Sequence, residues 1–137
     1  MSAIVIERVY PAAKEVLWQW LTEDERLSQW SMKCQGFVLE IGNVFIFETP
    51  SNPIWGGILK NTLIEFEMYE LLVYTCQTTK PVLDTRVKWE LTEAEEGTKL
   101  RLTHGGFTMK QFMNQAMLNN EWKRMIHEFL PEKLQNG

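Results

Sequence analysis

The side chains that could do chemistry in this chain are few. Two histidines, His104 and His127, and two cysteines, Cys34 and Cys76, are spread over 137 residues. None has the local spacing of a metal site, so no metal is expected. A Cys76–His104 pair brought together across a sheet would make a thiolate, although a buried cysteine more commonly acts as a small inert hydrophobe. There is no Gly-x-Ser-x-Gly nucleophile elbow, and Gly56-Gly57 lacks the lysine and hydroxyl residue of a phosphate loop. Glu65 stands among Leu63, Ile64 and Phe66. Pointing inward it would serve as a general acid or a polar anchor; pointing outward, the preferred reading, it is a solvated strand residue. His104 shares a strand face with Leu100 and Leu102. It is either a polar anchor at a cavity mouth or an organiser of the Gly105-Gly106 turn. The organiser is preferred, because that turn needs a hydrogen-bond partner with or without a ligand. His127 stands beside charged residues and is expected in solvent.

The stronger signal is apolar. Aromatic residues make up 12% of the chain and include six tryptophans. Large rings fill cores, and they also line pockets for apolar ligands. Phe45, Phe47, Tyr74, Trp89, Phe112, Met113, Met117 and Trp122 would converge if the elements carrying them pack face to face. Methionines adapt to varied apolar shapes, which suits a tolerant pocket. Tyr74, His104 and Glu65 would supply orientation, and Cys76 lies on the same inward set.

Those residues require a sheet and a helix to bring them together. The period-2 signature of a half-covered strand runs through Lys99 to His104, and Thr85 to Leu91 alternates without error. Further strands are expected at Ile4–Tyr10, Phe37–Glu40, Val44–Glu48, Trp55–Phe66 and Leu71–Cys76. Gly42-Asn43 would make a hairpin turn between Phe37–Glu40 and Val44–Glu48. The register of Trp55–Phe66 is ambiguous, because apolar residues occur at both parities. Pro50–Pro53 reads as a loop, and Lys80-Pro81 as punctuation.

Two short helices follow the first strand. Pro11 suits the first turn of one, and Thr22 would cap the next, which ends near Trp30. A long helix begins near Thr108 and carries Phe112, Ala116, Met117, Trp122, Met125, Ile126 and Phe129, with an end or kink beside Pro131. Strands segregated from helices mean an α+β domain, here one domain over residues 1–137.

The net charge of −4, without a block of like charges, gives no electrostatic footprint for nucleic acid. No stretch approaches the ~20 apolar residues needed to span a bilayer, and the N-terminus lacks a signal-peptide pattern. Free thiols in a cytoplasmic protein are expected.

Taken in order, these segments resemble the START-related helix-grip superfamily, and within it proteins similar to the C-terminal domain of the activator of the heat-shock protein 90 ATPase. Val16, Trp18, Leu21-Thr22 and Trp30 are similar to the first-helix pattern of that family. Gly42-Asn43-Val44-Phe45 is close to its Gly-Gly-x-Phe hairpin, and Leu72-Val73-Tyr74-Thr75 to its Leu-x-Tyr-Thr strand. Most specific is Val87-x-Trp89-x-Leu91 followed by Gly97-Thr98-x-Leu100-x-Leu102-Thr103-His104-x-Gly106-Phe107, with Trp122 on the last helix. Asn43, Cys76 and Glu121 depart from the pattern.

The resemblance implies a curved antiparallel sheet of six or seven strands around the C-terminal helix, and a hydrophobic cavity between them. It carries no shared catalytic machinery and no cofactor. The expected function is binding of a small apolar molecule such as a lipid or polyketide. The alternative is a protein-interaction module acting on a chaperone ATPase, with a role in stress response. A cyclase or hydrolase using Glu65 or His104 ranks third.

Overall fold

In the computed structural model, residues 3–48, 57–79 and 82–136 are described. Among them, alternating apolar and polar residues form seven strands: β1 (Ile4–Tyr10), β2 (Lys33–Gln35), β3 (Val44–Glu48), β4 (Ile58–Glu67), β5 (Leu71–Thr79), β6 (Val82–Ala94) and β7 (Gly97–Gly105). Helices α1 (Lys14–Thr22) and α2 (Asp24–Trp30) follow β1, and α3 (Phe112–Arg124) and α4 (Leu130–Asn136) come after the sheet. The strands join one antiparallel sheet in the order β1-β7-β6-β5-β4-β3-β2. It curls into a half-barrel that holds the C-terminal helical segment, so the expected α+β helix-grip architecture is the observed one. The expected Pro50–Pro53 loop, the start of the Trp55 strand and the Lys80-Pro81 punctuation lie outside the described residues.

Every second residue of the central strands turns to the inner face. On β6 these are Leu83, Thr85, Val87, Trp89 and Leu91, and on β7 Leu100, Leu102 and His104, all buried. The ambiguous register of β4 has a physical cause. The β4–β5 pairing slips between Leu63 and Glu65, so Ile64 is a bulged residue that reverses the parity of everything after it. Leu59, Asn61 and Leu63 face inward before the bulge, while Glu65 beyond it is exposed.

The expected strand at Phe37–Glu40 is not formed. Those residues lie in the irregular connection between β2 and β3, and β3 pairs instead with Lys33–Gln35. The Asp24 carboxylate explains the exchange. It accepts the backbone N–H groups of Gly36 and Phe37, each at 3.0 Å, and the Cys34 thiol at 3.2 Å, which takes backbone donors a ladder would have used. Asn43 does the same further on, with its side chain bonded to Val38 N and Gly36 O. Thr22 is not a cap either. It closes α1, where its hydroxyl bonds the Trp18 carbonyl four residues back at 2.7 Å.

Pro131 neither ends nor breaks the last helix. The turn before it, Met125–Phe129, widens into a π-helical turn, and the chain continues as α4. Pro131 has no N–H for the carbonyl four residues back, that of His127. The Arg8 guanidinium donates to that carbonyl at 3.4 Å, and the Tyr10 hydroxyl donates to the neighbouring Ile126 carbonyl at 2.6 Å. Side chains of β1 thus satisfy the groups that the π turn releases.

At the same C-terminal end of β1, the turn into α1 lies directly on Gly97. A Cβ at Gly97 would run into the Tyr10 carbonyl and come within 2.8 Å of Ala12 N, and φ there is +145°. Gly97→Ala should therefore lower stability by about 3 kcal/mol, read as a fall in urea midpoint at unchanged slope. Tyr10→Phe keeps the packing and orphans the Ile126 carbonyl, for an expected loss of about 1–3 kcal/mol in the same measurement.

Candidate functional site

The inner face of the sheet carries two chains of rings. On the β3–β5 side, Phe45 stands 5.7 Å from Phe47 and 5.0 Å from Tyr74 between ring centroids. On the β6–β7 side, Trp89 meets Trp122 of α3 edge-on at 5.4 Å, and His104 lies 4.9 Å from Phe107. One hydrogen bond joins the two chains: Trp89 Nε1 donates to the Tyr74 hydroxyl oxygen at 3.0 Å. Phe45, Phe47, Tyr74, Cys76, Trp89, His104 and Trp122 are all buried, so the structure gathers these seven of the eleven predicted site residues on one face.

Four of the predicted residues lie elsewhere. Phe112 and Met113 are 68% and 57% exposed, on the side of the first turn of α3 away from the buried Asn114. Phe112 lines an outer groove of about 450 Å³ between β1 and α3, together with Ile4, Val5, Ala116 and Lys123. Met117 is partly buried and packs against the core. Glu65 is exposed on the outer face, as its preferred reading had it. His127 is exposed as well, with Nδ1 3.3 Å from Arg8.

His104 is the organiser of the inner face. An indole N–H can only donate, so the 3.1 Å contact from Trp122 Nε1 makes His104 Nδ1 an acceptor. The proton then sits on Nε2 and is donated to Thr85 Oγ1 at 2.8 Å, and Thr85 passes its own hydroxyl proton to the Cys76 carbonyl at 3.0 Å. Four residues on α3, β7, β6 and β5 are linked in one direction of donation. Protonation would set an Nδ1–H against the indole N–H. Burial lowers the His104 pKa from 6.5 to about 3, so the ring is neutral at physiological pH.

The thiols are inert. Burial pushes Cys76 up to about 12, only partly offset by its contact with Thr85. Cys34 is raised by burial first, and then by its hydrogen bond to Asp24 and the negative charge there. The imagined Cys76–His104 pair does not exist, since both imidazole nitrogens are bonded to other residues. Among the described residues, no group of three His, Cys, Asp or Glu side chains could hold a metal ion.

Two contributors escaped the sequence reading. Thr85 had a legible signal: it begins the alternating run whose Val87 and Trp89 face inward. Asn61 had none, because the bulge at Ile64 that makes the parity of β4 ambiguous is not visible in the residue order. It is fully buried between Phe45 on β3 and Cys76 on β5. Its Nδ2 donates to the Phe45 and Leu59 carbonyls at 3.3 and 3.2 Å, which fixes the amide orientation. Its Oδ1 has no partner, and a buried unpaired acceptor of this kind costs about 1–3 kcal/mol.

The buried imidazole makes an acid-sensitive contribution to stability. Between its folded value of about 3 and its ordinary 6.5, the unfolded chain binds a proton that the folded chain does not. Its contribution is therefore complete above pH 6.5 and drains away as pH falls towards 3, by roughly 1.4 kcal/mol per pH unit. Urea melts from pH 7 to pH 4 should show this slope in the native chain and lose that component in His104→Gln.

Comparison with known proteins gives the geometry a family. No curated protein matches the sequence. Among solved structures, protein MLL2253 from Mesorhizobium loti is 27% identical with a TM-score of 0.88, over 98% of this chain and 97% of that one. DynU16, from the dynemicin biosynthetic locus, shares 17% identity with a TM-score of 0.81, and this chain spans 48% of its length. The Aha1 dimer from Colwellia psychrerythraea is 19% identical with a TM-score of 0.76, over 96% of this chain and 98% of that one. At such identities, the second and third likenesses establish the fold alone. The model of the Activator of Hsp90 ATPase homolog 1-like proteins matches residues 11–134, nearly the whole chain and including every residue of the His104 linkage, and the chain belongs to that family.

Proposed function

We propose that this is a cytoplasmic protein that binds a small apolar molecule between the curled sheet and the C-terminal helix. The observation that supports it most is the aromatic wall of the inner face, Phe45, Phe47 and Tyr74, facing the half of the sheet on which Trp122 seats the helix. Affinity would come from apolar burial, at roughly 25 cal/mol per Å². The family match and the likeness to a protein from a natural-product biosynthetic locus fit this reading. Glu65 in solvent and a His104 bonded at both nitrogens offer it no acid–base chemistry. Two buried, unpaired cysteines suit a reducing compartment, and no helix among the described residues is long and apolar enough to cross a membrane.

A second reading has its own observation. Met109, Phe112 and Met113 are 82%, 68% and 57% exposed on successive turns, a cluster of the kind that marks protein contacts. It suits a module that docks on a chaperone ATPase, as the family description suggests, or on a second copy, one structural relative being a dimer.

Native mass spectrometry of freshly purified protein separates the two. A carried apolar ligand adds a mass that disappears on denaturation, and it should be lost in Trp122→Ala if that variant stays folded. A verified ligand held unchanged by folded Trp122→Ala would sink the inner-face assignment. A doubled mass that Phe112→Glu abolishes would move the weight to the outer patch.

A further inference from the structure

We infer that the bound molecule carries a hydroxyl group, which donates its proton to Asn61 Oδ1. This rests on the proposal that the inner face takes an apolar ligand. Asn61 is 0% exposed, and its amide is held against the sheet by two backbone carbonyls, so its oxygen projects away from them. That oxygen has two lone pairs and no hydrogen-bond partner. A dry core would place a leucine at a strand position flanked by Leu59 and Leu63; here two carbonyls take the amide N–H groups of Asn61, and its oxygen is left for an outside donor.

Tyr74 stands diagonally from Asn61 across the β4–β5 pair, since Leu63 faces Tyr74 and Asn61 faces Cys76. Its oxygen accepts from Trp89 and its own proton is donated to no other described residue. An acceptor on one strand and a donor on the next match a group that both gives and takes a hydrogen bond, which is what an alcohol does.

The same surroundings disfavour a carboxylate. The buried polar side chains among the described residues are Asn61, Thr85, Thr98, His104 and Asn114, with no arginine or lysine, and the imidazole is neutral. An anion would meet the Asn61 oxygen without a counter-charge. The ligand class is a neutral apolar alcohol rather than a fatty-acid anion.

Calorimetric titration with three probes of similar length tests this: heptan-1-ol, hexyl methyl ether and heptanoate. The alcohol should bind the native protein about tenfold tighter than the isosteric ether, which can only accept, and heptanoate should bind weakest. Asn61→Leu, checked for folding by circular dichroism, should bring the alcohol and ether to equal affinity. Equal binding of the two by the native protein overturns the inference and leaves the apolar site standing, and that comparison needs no variant. An alcohol preference that persists in folded Asn61→Leu also overturns it. If none of the three binds, the apolar site itself falls, and the hydroxyl with it.

Discussion

The fold depends on a single neutral imidazole. His104 accepts from the indole of α3 on one nitrogen and donates on the other to Thr85, which in turn reaches the carbonyl of Cys76 on β5. The apolar contacts around it, such as Trp89 against Trp122, favour closeness without fixing angle or register. The linkage supplies direction. It also explains why a titratable residue occupies the dry interior: a hydrocarbon there would pack but would leave the Trp122 N–H without its acceptor.

A second constraint acts further along the same helix. Pro131 forces a gap in its hydrogen-bond ladder, and the chain answers by widening one turn instead of stopping. Tyr10 and Arg8 from β1 take the released carbonyls. The edge strand and the last helix are therefore joined by polar contacts at the π turn, while the centre of the sheet holds the helix through His104. These two attachments orient α3, and on its first turn Asn114 is buried while Phe112 and Met113, with Met109 before them, reach solvent.

Much of this was legible in the residue order. The alternation through β6 and β7, the two short helices, and the inward set of Phe45, Phe47, Tyr74, Trp89, His104 and Trp122 follow from periodicity and from the family likeness. The errors have a common origin. Phe37–Glu40 has the composition of a strand, but the Asp24 carboxylate, 13 residues before Phe37, takes the backbone donors that pairing would need. Thr22 has the chemistry of a cap and spends its hydroxyl on the preceding turn. Phe112 and Met113 have the composition of a pocket wall, yet their exposure depends on where the helix first meets the sheet. In each case a group distant in sequence, or a rigid-body placement, outweighed local preference.

Residue types and their spacing by themselves determined the α+β class, which face of each regular strand is dry, and the shortage of catalytic and metal-binding groups, because these depend on side-chain period and inventory alone. Only the tertiary structure decided which polar groups in the dry interior are satisfied. One bulge at Ile64 leaves Glu65 outward on a strand whose Asn61 faces inward, and one indole fixes the tautomer of His104. Hydrogen-bond satisfaction depends on distances of about 3 Å between atoms far apart in the chain, and no local pattern encodes such distances.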